Sequence, residues 1–282
     1  MKATGNATIK HQKTINTLTN LHIFPNPQEL GQAAAAHVAQ IAAEAIPARG
    51  RFMVALSGGS LPQLLGPALV KQATDWSAWH VFWADERCVP LTHPDSNYIL
   101  AQQYLFDHVP IPPGQIHAPD TSLDPAQTAA AYETVLAQIF AVPPTIPQPE
   151  DSLLQPSNLP PLQPSTPPTL PQFDLILLGM GEDGHTASLF PGHPLLQETE
   201  RWVAPIFDSP KPPPQRITLT LPVLNNARHV AFITAGSGKA GILPQVFTAG
   251  STLPAHLVQP TSGHLDWFVD EAAAAKLKTS NP

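Results

Sequence analysis

The sequence contains little cysteine and little charge, and each shortage excludes a class of protein. Cys88 is the only cysteine among 282 residues, so no disulfide can form within the chain and a disulfide-built secreted fold is excluded. Only 12% of the residues are charged, and the net charge of −7 argues against a broad nucleic-acid-binding surface. No apolar run approaches the roughly 20 residues that span a bilayer, so we predict neither nucleic acid nor a membrane as a partner.

Targeting and metal-binding signals are also missing. The N-terminal residues lack the apolar segment of a secretory signal peptide. We therefore predict that residues 1–25 are a flexible N-terminal tail and that the protein is cytoplasmic, with a plastid transit peptide as the alternative. The histidines form neither an HExxH pair nor a set with cysteine, which predicts no bound metal. The absence of a GxSxG motif excludes the nucleophile turn of serine hydrolases.

Short apolar runs alternate with helical patterns along the rest of the chain. The predicted strands cover residues 51–57, 79–84, 173–178, 202–207, 216–221, 228–235 and 255–258. The predicted helices cover residues 26–46, 61–72, 96–108, 124–141, 237–248 and 266–277. This alternation predicts an α/β fold with a Rossmann-like, mainly parallel sheet and helices on both faces. Ligands of such sheets bind at the carboxyl ends of the strands.

A Pro-rich stretch interrupts this pattern. Prolines recur every few residues from about residue 143 to residue 171. Each proline removes an amide donor and fixes φ, which is incompatible with a helix or an inner strand. We therefore predict a disordered or polyproline-like surface insertion there. Residues 26–282 are then a single domain that contains this insertion.

A glycine-rich turn follows the first predicted strand. It consists of Ser57, Gly58, Gly59 and Ser60, and a predicted helix begins directly after it. Glycine lets backbone amides approach an anion, and the helix start adds partial positive charge, so a phosphate is a natural ligand. Turns of this kind also occur without any function, and the motif is neither a Walker loop nor a dinucleotide fingerprint.

Charged residues follow two further strands. Asp85, Glu86 and Arg87 close the strand at 79–84, either as a polar cluster at the ligand-binding edge or as a solvated local ion pair. Asp183 and His185 lie in a glycine-rich turn directly after the strand at 173–178. A neutral imidazole can take a proton from water near pH 7, and a nearby carboxylate can orient it and stabilise its charged form. This turn is therefore the predicted catalytic segment.

Two basic residues complete the candidate site. Arg216 begins a strand with alternating polar and apolar residues, on its polar face, and Lys239 lies at a helix start after Gly-Ser-Gly. Arginine offers phosphate a planar fork and lysine a point charge. Because the chain has only 14 basic residues, two at strand–helix junctions fit an anion site. The alternative is that each is an ordinary surface charge.

Together these segments resemble the 6-phosphogluconolactonase family. The matching stretches are VALSGGSLP, WADERCVP followed by DSNY, FDLILLGMGEDGHTASLFPG, QRITLTLPVLNNARHVAFITAGSGKAGIL, and PAHLVQP followed by WFVDEAAAAKL. They cover most of residues 51–277, whereas the N-terminal tail and the Pro-rich insertion have no counterpart. The resemblance implies the fold shared by glucosamine-6-phosphate deaminases and ribose-5-phosphate isomerases (NagB/RpiA-like).

The resemblance also implies a reaction and a division of roles. The reaction is hydrolysis of 6-phospho-D-glucono-1,5-lactone to 6-phosphogluconate in the pentose phosphate pathway, without a metal or an organic cofactor. His185 would be the general base, Asp183 would hold it or the substrate hydroxyls, Arg87 would face the lactone or its oxyanion, and Asp85 would position the substrate. The implied phosphate site consists of Ser57, Gly58, Gly59, Ser60, Arg216 and Lys239. The expected partner is a small-molecule phosphorylated sugar lactone, bound by a monomer or a weak homo-oligomer.

Two alternatives remain at this point. Similar deaminases carry Tyr after their Asp-Glu pair and Glu shortly after the Asp-Gly-His turn, whereas this chain has Arg87 and no carboxylate in residues 186–190. A non-catalytic sugar-phosphate sensor of similar fold would need an attached DNA-binding module, and the first 26 residues are too few for a helix-turn-helix. Both alternatives are therefore disfavoured.

Overall fold

The computed structural model describes residues 11–16, 19–141 and 169–277. The strands are β1 His11–Asn16, β2 Thr19–Phe24, β3 Phe52–Leu56, β4 Trp79–Trp83, β5 Asp85–Arg87, β6 Leu175–Leu178, β7 Val203–Ile206, β8 Arg216–Leu219, β9 His229–Thr234 and β10 His264–Asp270. Within the described ranges, seven of them form the main sheet in the order β1-β2-β10-β9-β6-β3-β4. Apart from the antiparallel β1–β2 pair, neighbouring strands of this sheet are parallel. The predicted mainly parallel sheet is confirmed.

Helices cover both faces of the main sheet. They are α1 Pro27–Arg49, α2 Leu61–Leu69, α3 Asn97–Tyr104, α4 Pro125–Ala141, α5 Leu221–Asn225, α6 Leu243–Val246, α7 Pro254–Leu257 and α8 Glu271–Ala274. Successive side chains of a strand point to opposite faces, so Phe52, Val54 and Leu56 of β3 join the core under α1 and α2. Met53 and Ala55 join the second core, which contains α4. No helix in the described ranges combines the length and the apolarity that a bilayer crossing requires.

A smaller antiparallel sheet, in the order β5-β8-β7, branches from the main one at Ala84. The Ala84 amide donates to the Leu56 carbonyl of β3, while the Ala84 carbonyl accepts from the Leu219 amide of β8. The polar face predicted for β8 is not exposed, because Arg216 and Thr218 are as buried as their apolar neighbours. The turn after β6 covers this face of the small sheet, where the Ser188 amide donates to the Thr218 hydroxyl.

The predicted flexible tail of residues 1–25 is wrong for residues 19–24. These residues form β2, which pairs in parallel with β10 along its whole length and separates β10 from β1. Leu21, Ile23 and Phe24 are buried in the two cores. A strand as short as β2 is stable only when it pairs with another strand. Its partner, β10, lies near the other end of the chain. Residues 1–10 lie outside the described ranges.

Three predictions for the last fifty residues are also wrong. Residues 254–257 form α7, not a strand, and the helix predicted over 237–248 divides into a single 3₁₀ turn at 237–239 and α6. Residues 264–270, predicted mostly as helix, form β10 between β2 and β9. The run of alanines after residue 271 favours a helix, but residues 265–269 alternate between the two cores, which is the period of a strand.

The Pro-rich insertion predicted at about 143–171 lies mostly outside the described ranges, which omit residues 142–168. Its last three residues are described and are held in place. The side-chain amide of Asn226 donates to the carbonyl oxygens of Leu170 and Pro171 at 3.0 and 3.2 Å. Residues 169–171 have no regular secondary structure, and the rest of the prediction for this insertion stays a prediction.

Helix α1 begins where predicted and ends three residues later. The Asn26 side chain accepts from the Glu29 amide at 2.9 Å, as an N-cap residue does. Pro47 lies in the last turn, where it removes only one intrahelical hydrogen bond. The helix ends at Gly50, whose φ of 70° is left-handed and whose amide donates to the Ile46 carbonyl.

Gly31 sets how closely α1 approaches α2. A Cβ atom at Gly31 would collide with the backbone carbonyl of Leu64 in α2. We expect Gly31→Ala to lower the free energy of unfolding by about 1–3 kcal/mol in urea denaturation, although alanine is the better helix former, because the helices must separate. The matched control is Gly114→Ala, where a Cβ meets no atom within 4 Å. Equal stability of the two variants would contradict the close contact.

Candidate active site

Neighbouring strands of the main sheet end at one cleft of about 320 Å³. The turns after β3, β6 and β9 lie at its edge, and β5 lies beside them. The cleft is lined by Ser57, Gly58, Gly59, Ser60, Asp85, Arg87, Gly179, Met180, Gly181, Glu182, His185, Ala187, Lys211, Arg216 and Lys239. Every predicted site residue except Asp183 is in this lining, and Asp183 contacts His185 directly. The carboxyl ends of parallel strands bring these residues together from distant parts of the chain.

His185 and Asp183 form a hydrogen-bonded pair at the cleft. The His185 Nδ1 atom lies 2.5 Å from Asp183 Oδ1. A carboxylate can only accept, so Nδ1 carries the proton of a neutral imidazole and Nε2 retains its lone pair. Nε2 is therefore the atom that can accept a proton from a molecule in the cleft.

Burial holds His185 in its neutral form. Burial lowers the pKa of His185, and the positive charge of Lys211 lowers it further, whereas the hydrogen bond and charge of Asp183 oppose both. Burial alone would raise the pKa of Asp183, but its hydrogen bonds from His185 and the nearby Lys211 charge leave that pKa below its ordinary value. Near pH 7 the pair is thus a neutral imidazole beside a carboxylate, which suits a general base.

The backbone conformation of the turn after β6 requires glycine or another small residue at particular positions. A Cβ at Gly181 would collide with the His185 ring and would crowd the Asp183 carboxylate. The Thr186 hydroxyl donates to the Gly179 carbonyl at 2.8 Å and ties the two ends of the turn together. Ala187 has a φ of 47°, a left-handed conformation that is uncommon for a residue with a side chain. The glycines around the Asp-Gly-His sequence therefore make room for the His–Asp pair.

Asp85 connects three segments below the cleft. It is buried, with 3% exposure, and its two carboxylate oxygens accept from the hydroxyls of Ser57 and Ser188, each at 2.8 Å. Ser57 follows β3, Ser188 belongs to the turn after β6, and Asp85 begins β5. Asp85 therefore orients the hydroxyl of Ser57 and fixes the catalytic turn relative to the two sheets.

Glu86 anchors the loop beside Asp85. It has no exposed surface and accepts from the amides of Arg87, Asn97 and Tyr98 and from the Ser96 hydroxyl. Burial raises the pKa of Glu86 to about 7, although these hydrogen bonds oppose the shift. Glu86 therefore faces the protein interior and supports the start of α3, whereas its neighbours in the sequence line the cleft.

Arg87 lies at the rim of the cleft and has an N–H group that makes no hydrogen bond within the described residues. Its Nη1 group donates to the Asp95 carbonyl at 2.6 Å. Its Nε atom is buried and donates to no group in the described residues. Arg87 also stands opposite Arg216 in the β5–β8 pairing, so two guanidinium groups lie on the same side of the cleft.

The turn after β3 offers unpaired amides. The amides of Gly58, Gly59 and Ser60 donate no hydrogen bond to any described residue, and the Ser60 side chain makes no cap bond at the start of α2. Gly59 has a φ of 66°, and a Cβ at Gly58 would collide with the Asn97 side chain. Free amides at a helix N-terminus form an anion site, as the sequence predicts.

Lys239 lies on the other side of the cleft in the turn after β9. Its half-buried position lowers the pKa of its amine, while the negative charge of Glu182 raises it. Glu182 also fills the space beside Gly238, where a Cβ would collide with it. Lys239 therefore offers a positive charge to a phosphate that is bound at the turn after β3.

Arg216 is placed in the cleft but most of its donors are already used. Nε donates to the Pro213 carbonyl, Nη2 donates to the carbonyls of Lys211 and Pro212, and Nη1 lies 3.3 Å from the Ser188 hydroxyl. The side chain is 3% exposed. Arg216 therefore contributes charge to the cleft and holds the loop that carries Lys211.

Sequence reasoning missed Lys211. Its Nζ atom lies 3.4 Å from Asp183 Oδ2 and 3.4 Å from His185 Nδ1. It is a lone lysine in a Pro-rich run between β7 and β8, and nothing in its local sequence marks it. Only the loop held by Arg216 brings it to the catalytic pair.

In the described ranges, no group of three His, Cys, Asp or Glu side chains is arranged to hold a metal ion. The charged groups of the cleft are instead a His–Asp pair, the carboxylates of Asp85 and Glu182, and cations from two lysines and two arginines. This arrangement can bind an anionic molecule and move a proton at His185 Nε2.

Comparison with known proteins identifies the family of this chain. Residues 25–267 match the family described as glucosamine-6-phosphate isomerases/6-phosphogluconolactonase. The chain belongs to this family. It is 45% identical over 264 residues to the 6-phosphogluconolactonase of Rattus norvegicus, covering 91% of this chain and 93% of the relative. It is 42% identical over 268 residues to a probable chloroplastic 6-phosphogluconolactonase of Oryza sativa, covering 92% of this chain and 76% of the relative.

Solved structures of the family share the fold. The 6-phosphogluconolactonase of Trypanosoma brucei superposes with a TM-score of 0.72 at 28% identity, covering 91% of this chain and 98% of that structure. The Thermotoga maritima 6-phosphogluconolactonase gives a TM-score of 0.72 at 26% identity, covering 89% and 99%. A monomeric glucosamine-6-phosphate deaminase, at 15% identity and a TM-score of 0.68, shares the fold alone. The resemblance predicted from the sequence motifs is confirmed.

The contact between Lys211 and the His–Asp pair can be tested without any substrate. We expect Lys211→Met to raise the pKa of His185, because the substitution removes a nearby positive charge. Titration of the imidazole nitrogens by ¹H–¹⁵N NMR measures that pKa and the tautomer. The control is Lys71→Met, which removes a lysine outside the cleft. An equal pKa of His185 in wild type and Lys211→Met would contradict the placement of Lys211.

Proposed function

We propose that this chain hydrolyses 6-phospho-D-glucono-1,5-lactone to 6-phospho-D-gluconate, the lactonase step of the pentose phosphate pathway. The observation that carries the proposal is the neutral His185–Asp183 pair in a cleft lined by cations. Identity of 45% with relatives named 6-phosphogluconolactonase, over nearly the whole chain, supports the choice of reaction. The enzyme is thus a carboxylic ester hydrolase whose substrate is a phosphorylated sugar lactone.

His185 acts as the general base in this proposal. Its Nε2 atom takes a proton from water as the water oxygen attacks the lactone carbonyl carbon, giving a tetrahedral oxyanion and an imidazolium. Asp183 stabilises that imidazolium through the Nδ1 proton. The imidazolium then protonates the ring oxygen as its bond to the carbonyl carbon breaks, which regenerates neutral His185 and opens the ring. Activity therefore falls as the pH drops through the lowered pKa of His185.

Cations at the rim stabilise the developing negative charge. We assign Arg87 to the lactone carbonyl oxygen, because its buried Nε makes no hydrogen bond within the described residues. Lys211, beside the His–Asp pair, adds positive charge on the same side. Preorganised donors of this kind act where charge develops in the transition state. Asp85 acts through Ser57 and Ser188, whose hydroxyls it orients.

The phosphate is assigned to the turn after β3. The free amides of Gly58, Gly59 and Ser60 face it from the start of α2, and Lys239 supplies a point charge. The Ser57 hydroxyl, which was also predicted for this site, donates its proton to Asp85 and holds the turn. Arg216 adds charge while it holds the Lys211 loop. Binding of the phosphate positions the lactone ring, so that the remote binding energy lowers the barrier at the carbonyl. No metal or organic cofactor takes part in these steps.

The remaining assignments concern partners and location. The net charge of −7 supports a small-molecule partner over nucleic acid, and we propose a monomer or a weak homo-oligomer. We propose the cytoplasm as the location, with the plastid as the alternative raised by the chloroplastic rice relative. A deaminase is disfavoured because residues 186–190 hold no carboxylate to share the proton transfers of ring opening.

The reaction and its base can be tested together. We expect the wild type to accelerate loss of freshly prepared 6-phosphogluconolactone above its spontaneous hydrolysis. His185→Gln should lose about 10²–10⁴-fold in kcat, because it removes general-base catalysis. His108→Gln is the matched control, because His108 is exposed and distant from His185 in the sequence, and this variant should retain full activity. No acceleration by the wild type, or ammonia release from glucosamine-6-phosphate, would reject the proposal.

The phosphate assignment has a separate test. We expect Lys239→Met to lower kcat/KM for the phosphorylated lactone by about 10–100-fold, since a hydrogen bond to a charged group is lost. The same variant should hydrolyse unphosphorylated glucono-1,5-lactone as well as the wild type does. An equal loss on both lactones would show that Lys239 acts on the ring or on the fold and does not bind the phosphate.

A further inference from the structure

A second cleft lies at the opposite edge of the main sheet. It has a volume of about 220 Å³ and is lined by the residues that precede three adjacent strands. Arg51 precedes β3, Asp174 precedes β6 and Arg228 precedes β9, and Arg49 reaches the cleft from the end of α1. The active-site turns follow the other ends of these same strands. The two clefts are therefore separated by about 13–20 Å, the length of four to six strand residues.

Positive charge exceeds negative charge in this second cleft. Asp174 is the one carboxylate among the described residues that line it, and it is 2% exposed. Arg49 Nε lies 2.7 Å and Arg228 Nε 3.6 Å from Asp174 Oδ1, while Asp174 Oδ2 accepts from the Met53 amide at 2.8 Å. Arg51 also lines the cleft. Among the described residues, three arginines and one carboxylate line this cleft, in a chain whose overall charge is −7.

The terminal groups of two arginines remain free for a ligand. Arg49 and Arg228 each use only Nε toward Asp174, and their Nη groups donate to no described residue. Asp174 therefore orients the Arg49 guanidinium through a hydrogen bond and attracts the Arg228 guanidinium as an ion pair. A guanidinium that is held by Nε presents its Nη edge to oxygen atoms, which is the geometry that oxyanions favour. Phe140 and Met53 supply an apolar wall.

We propose that this second cleft binds a small phosphate-class dianion, at a site distinct from the active site. The Nη groups of Arg49 and Arg228 bind its oxygen atoms, Arg51 lines the same cleft, and Asp174 keeps the two guanidinium groups beside each other. The small volume and the apolar wall fit inorganic phosphate or a short phosphomonoester. The site lies on the strands that carry the active-site turns, but its binding does not depend on the proposed reaction.

Equilibrium dialysis with radiolabelled inorganic phosphate tests the proposal on the full chain. We expect wild type to bind two phosphates, and Arg228→Gln to weaken only the second site by about tenfold or more, since one charge-assisted hydrogen bond is lost. Lys239→Gln should weaken only the active site. Lactone hydrolysis, at the wild-type rate in Arg228→Gln, confirms that this variant is folded.

The matched control is Arg201→Gln, which removes one exposed arginine elsewhere on the chain. We expect it to leave both phosphate sites unchanged. Equal weakening by Arg201→Gln and Arg228→Gln would mean that net charge alone governs binding, and the proposal would be rejected. Phosphate binding that is lost entirely with Lys239→Gln, or is unchanged by Arg228→Gln, would also reject it.

Discussion

The buried carboxylate of Asp85 is the interaction on which the rest of the site depends. It joins the end of β3, the turn after β6 and the start of the small sheet through two serine hydroxyls. A buried carboxylate without partners is costly, so the arrangement is stable only when both serines are in place. The same bonds set the distance between the phosphate-binding turn and the His–Asp pair. The hydrogen bonds that the buried Asp85 carboxylate requires for stability therefore also fix the geometry of the cleft.

Charge in this protein is scarce, and two groups of charged residues lie at opposite edges of the main sheet. The carboxyl edge holds His185, Asp183 and the cations of the active site, and the amino edge holds the arginines around Asp174. The strands between these edges are apolar on both faces. Burial between the helix layers makes each charge that remains at an edge interact strongly with its neighbours, as the lowered pKa of His185 illustrates.

The parallel sheet and most of the cleft could be predicted because their signals are local. Buried strands end in turns that carry Ser57, Asp85 and His185, and one topological rule brings such turns to the same edge. Lys211, β2 and β10 could not be predicted in this way. Lys211 reaches the site through a loop held by Arg216. The strands β2 and β10 stabilise each other by pairing, although they lie near opposite ends of the sequence. Local propensity carries no information about a partner more than two hundred residues away.

The place of β10 between β2 and β9 bears on how the chain is synthesised. Translation proceeds from the N-terminus, so β2 and β9 both leave the ribosome before the strand that joins them. Until residues 264–270 emerge, the nascent sheet is divided and has two unpaired edges facing the same gap. Open edges of this kind pair with other chains, so the interval before the last strand arrives is when this protein is most exposed to aggregation and most in need of a chaperone.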